Sequence, residues 1–173
     1  MALILPVEDK FPEQGENCWF APNATIVGDV KMGDECTVWF NAVIRGDVNS
    51  VVMGDKVNVQ DGAVIHCTYK KTKTIIGNRV SIGHNAILHG CVVEDEVLIG
   101  MGAIVMDGAI IGKNSIIAAG AIVTQNKIVP PNTIWAGNPA KFLKNVDGSN
   151  AEVFLRTANN YVKYASWFNE ENQ

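Results

Sequence analysis

This sequence is short of the features that usually settle a function at once. It holds only three histidines in 173 residues, and charged residues make up 18% of it. Long basic runs are absent and the net charge is −4; the one basic cluster, Lys70, Lys71 and Lys73, reads as a solvated loop. Nothing here favours nucleic acid or an anionic membrane as partner. No apolar run approaches the roughly 18–20 residues that span a bilayer. Met1 to Lys10 lacks the basic region, apolar stretch and small-residue cleavage site of a signal peptide, so a cytoplasmic location is expected. The four cysteines, Cys18, Cys36, Cys67 and Cys91, form no C-x-x-C pair and no zinc-ribbon pattern. They read as reduced, small buried residues.

What the sequence does have is a period. An aliphatic or bulky apolar residue recurs every six positions: Phe20, Ile26, Met32, Val38, Ile44; then Met53, Val59, Ile65; then Ile76, Ile82, Leu88; then Val93 through Ile99, Val105, Ile111 and Ile117 to Val123. A small or β-branched residue usually follows four positions later, as at Ala24, Ala42, Ala63, Ala86, Ala103 and Ala121. Six fits neither a 3.6-residue helix nor a two-residue strand alternation. It fits a short strand plus a tight turn, with Gly and Asn accepting positive φ at the corners. Three hexads close one triangular coil, and coils stack as a solenoid with rungs about 4.8 Å apart. Over residues 20–123 the pattern resembles the hexapeptide-repeat proteins. That resemblance implies an all-β solenoid, a left-handed parallel β-helix.

The register breaks three times. Three extra residues lie between Ile44 and Met53, and five, rich in Lys and Thr, between Ile65 and Ile76; one residue is missing between Leu88 and Val93. Breaks of this kind in a solenoid tend to mark the binding side. One domain is expected, with coils over about 20–123, a closing segment over 124–148 and a C-terminal helix over 149–170. Gly137 to Lys141 resembles the closing segment of many hexapeptide proteins. Ser149-Asn150-Ala151-Glu152 is a capping-box pattern, and Phe154, Ala158, Tyr161, Val162, Ala165 and Phe168 follow at helical spacing. Tyr161, Tyr164 and Trp167 read as packing residues of a helix laid along the solenoid.

The three histidines fall on this lattice in an informative way. Counting hexads from Val59, His66 and His89 each follow the first residue of a face-two hexad on successive coils. Their backbones are therefore expected one rung apart, and two imidazoles can meet one ion at about 2.0–2.1 Å per nitrogen. Arg45 continues the same column. His84 belongs to a face-one hexad, and five residues separate it from His89, roughly 16 Å of extended chain. A neighbouring subunit could supply it, and three protein ligands with an open position mark a catalytic metal site.

The segments Arg45-Gly46-Asp47, Asn58 to His66 and Ser81 to Gly90 resemble the γ-class carbonic anhydrases. The resemblance implies a homotrimer with metal sites at its interfaces, His66 and His89 from one subunit and His84 from the next. It implies site-organising or interface roles for Arg45, Asp47 and Asp61, and places Gln60 near the metal-bound solvent with Asn58 as a neighbouring site residue. The substrate pair is then carbon dioxide and bicarbonate. Zn2+ is the expected ion, although neutral imidazoles suit Fe2+ and Co2+ as well; a bound ion gives hydroxide near neutral pH.

The chain departs from the best-known members at two proton-shuttle positions. Val48 follows the Arg-x-Asp motif where an acid stands, and the loop Cys67 to Lys73 has no carboxylate. Turnover is expected to be slow, with Tyr69 or Tyr161 as substitute polar groups. The chain looks more like the shorter branch of the family, whose members are described as acetyltransferase-like or ferripyochelin-binding-like. Two other readings stand beside the lyase: a CoA-dependent acyltransferase or thioesterase using a histidine base, and a metal-binding scaffold without catalysis.

Overall fold

The computed structural model describes residues 1–168, and for 148–151 the backbone alone. The hexads become short rungs stacked in parallel columns. Face one carries Trp19–Phe20, Thr37–Val38, Asn58–Val59, Ser81–Ile82, Leu98–Ile99, Ile116–Ile117 and Thr133–Ala136 in one continuous sheet. Face two stacks Ile26 on Ile44, then Ile65, Leu88, Val105 and Val123. Every member of that column is fully buried. Face three stacks Met32, Met53, Ile76, Val93, Ile111 and Val129 in the same manner. Each buried aliphatic side chain contributes about 1.5–3 kcal/mol. The small residues Ala24, Ala42, Ala63, Ala86, Ala103 and Ala121 are fully buried too, because no larger side chain fits where the corner narrows the prism.

The strands run beyond the expected 20–123 span at both ends. Leu3–Leu5 and Glu13–Gln14 pair with Thr25–Met32 below. Above, Ile128–Val129 and Ile134–Trp135 continue the six-residue series, and Lys141–Asn145 then turns back antiparallel along the last rung. The terminal helix runs Gly148–Ser166 and packs on face one. Phe154, Ala158 and Ala165 are its buried residues. The side chains of Ser149, Asn150 and Ala151 in the capping pattern, and positions 169–170 of the expected helix, lie outside the described residues.

Two strands are much longer than one hexad. Thr25–Met32 and Val43–Met53 run on around the corner between faces two and three. Gly28 pairs with Gly46, but the next matched pair is Val30 with Val51. The three residues in excess after Ile44 are therefore a bulge in a continuous strand. Bulges re-aim side chains beside sites, and this one carries Asp47.

Candidate metal centre

At the edge where face two ends, the rungs Val64–His66 and Ile87–His89 pair in register, with His66 directly beneath His89. The inner nitrogens, Nδ1 of His66 and Nε2 of His89, are 3.1 Å apart, and the ring centroids 5.1 Å apart. Each outer nitrogen faces a carboxylate. His66 Nε2 lies 3.0 Å from Asp47 Oδ1, and His89 Nδ1 lies 2.9 Å from Asp107 Oδ2. Arg45, one rung below His66 in the column, pairs with Asp47.

The electrostatics of these carboxylates fix the protons. Burial pushes the Asp47 carboxyl up, but hydrogen bonds from His66 and Arg45 and the Arg45 charge outweigh it and hold the pKa below the ordinary value. Burial likewise raises Asp107, and bonds from Thr68, Thr72 and His89 bring it down to about 2. Ionised carboxylates only accept. The ring N–H groups therefore point outward, at His66 Nε2 and His89 Nδ1. In neutral rings this turns two lone pairs inward onto one another at 3.1 Å, an arrangement that repels unless a metal cation or a shared proton lies between them. Two nitrogens of a tetrahedral ion at 2.0–2.1 Å stand about 3.3 Å apart. The donor set and its spacing fit a divalent metal, with carboxylates behind both imidazoles as such sites require.

His84 lies at a different edge of the prism. It sits in the turn that closes face one, just ahead of Asn85, whose φ is 56°. Its Nδ1 is 2.8 Å from Asp61 Oδ2, and Asp61 occupies the same turn one rung below, its carbonyl accepting from Asn85 N–H at 2.9 Å. Beside it Gln60 Nε2 donates to Asn58 Oδ1 at 2.9 Å, and Asn58 Nδ2 donates to Ser81 Oγ at 2.8 Å. His84 opens onto two clefts. One, of about 340 Å3, runs past Gln60, Gly83 and Met101. The other, of about 310 Å3, is walled by Asp61, Tyr161, Trp39 and Phe168. Tyr161 meets Trp39 edge to face at 5.2 Å, which is packing as its helical spacing suggested.

The candidate residues thus form two groups within one chain. Arg45, Asp47, His66 and His89 come together at one edge. Asp61 and His84, with Gln60, Asn58 and Tyr161 nearby, come together at another. Among the described residues, no group of three His, Cys, Asp or Glu side chains is placed to hold a metal ion within the single chain.

A Geobacillus kaustophilus protein named carbonic anhydrase is 41% identical over 166 residues, covering 96% of this chain and 91% of the relative. The chain belongs to the γ-class carbonic anhydrase-like family of hexapeptide-repeat proteins. Residues 15–46 and 90–125 match the family described as bacterial transferase hexapeptide (six repeats), and 73–106 match the hexapeptide repeat of succinyl-transferase. Gamma carbonic anhydrase 1, mitochondrial, of Arabidopsis thaliana is 41% identical over 98% of this chain, which spans 63% of that relative's length. A crystal structure of a hexapeptide transferase family protein from Anaplasma phagocytophilum superposes with a TM-score of 0.92 at 36% identity, covering 96% of this chain and 98% of that one.

Within this family frame, the residues that sequence reading missed are Asp107, Thr68 and Thr72. Asp107 looks like one more turn residue in Met106-Asp107-Gly108. The signal was available: extending the His66–His89 column by one rung reaches Met106, and Asp107 follows it. The loop Cys67 to Lys73, whose lysines read as solvated, is also tied inward, since Thr68 Oγ1 and Thr72 Oγ1 both donate to Asp107 Oδ1.

Proposed function

We propose that this protein hydrates carbon dioxide reversibly, as a homotrimer whose metal sites are each completed by His84 of a neighbouring subunit. The observation that carries the reading is the pair of inward imidazole nitrogens 3.1 Å apart, each ring held from behind by a carboxylate. His66 and His89 would hold the ion, with Zn2+, Fe2+ or Co2+ all compatible with imidazole donors. A bound divalent ion supplies water activation near neutral pH.

The chain's own residues do the rest. Asp47 and Asp107 keep the proton of each ring on the outer nitrogen. Asp61 holds His84 by Nδ1 and leaves Nε2 for the neighbour's site. Arg45 neutralises Asp47 at the same edge. The amide of Gln60, its direction set by Asn58 and Ser81, orients an oxygen of carbon dioxide or bicarbonate beside His84. The loop 67–73 offers no acid for the departing proton, so buffer takes it up and turnover is slow.

One observation favours a second reading, a CoA-dependent acyltransferase. The cleft past Gln60 and His84 is floored by small and apolar residues, Gly83, Gly100, Ala118 and Ala119 among them, and it suits an extended acyl thioester arm. Metal analysis of the purified oligomer and stopped-flow hydration of carbon dioxide on the metal-replete protein separate the two. About one ion per subunit, and hydration that His84→Ala abolishes, is the expected result. Acyl-CoA turnover that survives chelation, without hydration of carbon dioxide, would overturn it; bound metal without either activity would leave a scaffold.

A further inference from the structure

We infer that Asp107 is a positioning residue for His89, and that the Thr68 and Thr72 hydroxyls form a clasp fixing which nitrogen of His89 carries the proton. The inference rests on the metal-centre reading above and deepens it.

Like Asp61 under His84, Asp107 faces an imidazole, whereas three aspartates at the corners that close face three do something different. Asp34, Asp55 and Asp95 each accept a backbone N–H from the neighbouring rung, at Glu16, Asp34 and Asn78 respectively. They are turn caps. The side-chain partners of Asp107 are two hydroxyls and an imidazole. Thr68 Oγ1 and Thr72 Oγ1 donate to Oδ1 at 2.6 and 2.7 Å, and Oδ2 faces His89 Nδ1 at 2.9 Å.

The direction of the clasp is fixed as well. Thr72 Oγ1 accepts the N–H of Thr68 at 3.2 Å, which leaves its own proton for Asp107. Thr68 and Thr72 are held opposite each other by a backbone bridge. Gly90 makes the room, with φ at 57°; a Cβ there would stand 2.2 Å from Thr72 Oγ1 and 2.4 Å from Asp107 Oδ1. Thr74 Oγ1 donates to the His66 carbonyl at 2.6 Å and accepts Gly90 N–H at 2.9 Å, tying the two histidine rungs together. The five residues that interrupt the hexads after Ile65 are therefore the fastening of the site. With Oδ1 occupied by hydroxyl donors, Oδ2 is an acceptor facing Nδ1. His89 must then be protonated at Nδ1 and present Nε2 as a lone pair to the ion.

Asp107→Asn tests this, because it keeps the shape and reverses one donor. If the hydroxyls still donate to the amide oxygen, the amide NH2 faces His89 Nδ1 and drives the proton to Nε2. In the metal-free protein, nitrogen NMR shifts should report Nδ1–H for His89 in the natural chain and Nε2–H in Asp107→Asn. Affinity for Co2+ should fall by about 10–100-fold while the melting temperature hardly moves. Thr68→Ser, which keeps the hydroxyl, should retain the natural affinity, and Thr68→Val with Thr72→Val should lose it. An unchanged tautomer, or an affinity loss below about 10-fold, would overturn the inference. Should Asp107→Asn fail to fold, the tautomer of the natural metal-free protein decides alone, since His89 protonated at Nε2 and not at Nδ1 contradicts the clasp. A natural chain that binds no Co2+ sinks the metal reading instead, and the tautomer still judges the clasp.

Discussion

The two histidine edges of this solenoid are built to different standards. At the face-two edge, His66 and His89 have side chains 17% and 34% exposed, each ring held from behind by a carboxylate, with a bulge and a fastened loop around them. At the other edge, His84 is 40% exposed and its ring pairs with Asp61, itself 41% exposed. The first edge is organised within the chain. The second presents a half-exposed histidine from a turn. The proposed shared site accounts for the asymmetry: two donors whose lone pairs face each other on adjacent rungs must be held by their own chain, whereas a donor delivered across a boundary is positioned by the docking of two rigid prisms.

The largest expected effect breaks the comparison in half. His66→Ala and His84→Ala should each lose carbon dioxide hydration by on the order of 100-fold or more. Refolding the two variants together should restore activity, because one interface in each mixed trimer unites an intact face-two pair with an intact His84. Random mixing predicts recovery to about a quarter of the natural rate. Stopped-flow assays of the mixture against each parent check this. No recovery, in a mixture shown to exchange subunits, would mean that the ligands do not come from different chains.

A pair of glycines sharpens the same contrast through stability. Gly90 and Gly102 both have positive φ, 57° and 67°. A Cβ on Gly90 runs into Thr72 and Asp107, while one on Gly102 meets nothing within 4 Å. Gly102→Ala should therefore cost only the left-handed backbone penalty, about 1 kcal/mol. Gly90→Ala adds the clash and should cost about 3 kcal/mol. Denaturant unfolding of both variants measures the gap, and equal losses would show that the histidine edge is no more tightly built than an ordinary corner.

Much of this was legible in the sequence, for a definite reason. A six-residue period with buried aliphatics leaves no freedom of register, so placing Ile65 and Leu88 in one column also stacks His66 on His89. The fold and the two-edge division of the histidines follow from counting. Asp107 did not emerge, because Asp at a corner is common in this solenoid, as at Asp34, Asp55 and Asp95, and its distinction lies in which partners it accepts. Nor did the clasp: Thr68 and Thr72 act through a loop whose path the hexad lattice does not specify. Trp135 and Val129 kept the period but sat among prolines and polar residues, which hid two further rungs.

The edges also differ in where a proton can leave. Neither Val48 nor loop 67–73 offers a free carboxylate, and the carboxylates that are present are engaged with the histidines. Hydration rates should rise severalfold with buffer concentration at fixed pH and ionic strength. Tyr69, 62% exposed on the fastened loop, is a position at which an acid is placed in solvent. Tyr69→Glu should raise the low-buffer rate severalfold and flatten the buffer dependence. A natural rate independent of buffer would show that another group already carries the proton.

The smallest effect concerns the His84 edge, where Tyr161 shares a cleft with Asp61. Burial, aided by the Asp61 charge and by Tyr164, pushes its phenol up from 10.0 to about 12. The sign follows from linkage: a raised folded-state pKa means that the fold favours the neutral phenol. Its contribution to stability is complete below the unfolded value of 10.0 and is lost as pH climbs towards about 12. Tyr161→Phe, which keeps the ring against Trp39, should remove the latest phenolate transition from the near-ultraviolet titration and soften the alkaline fall in stability. Should that transition survive in the variant, it does not belong to Tyr161, and the cleft at this edge is wetter than its aromatic walls imply.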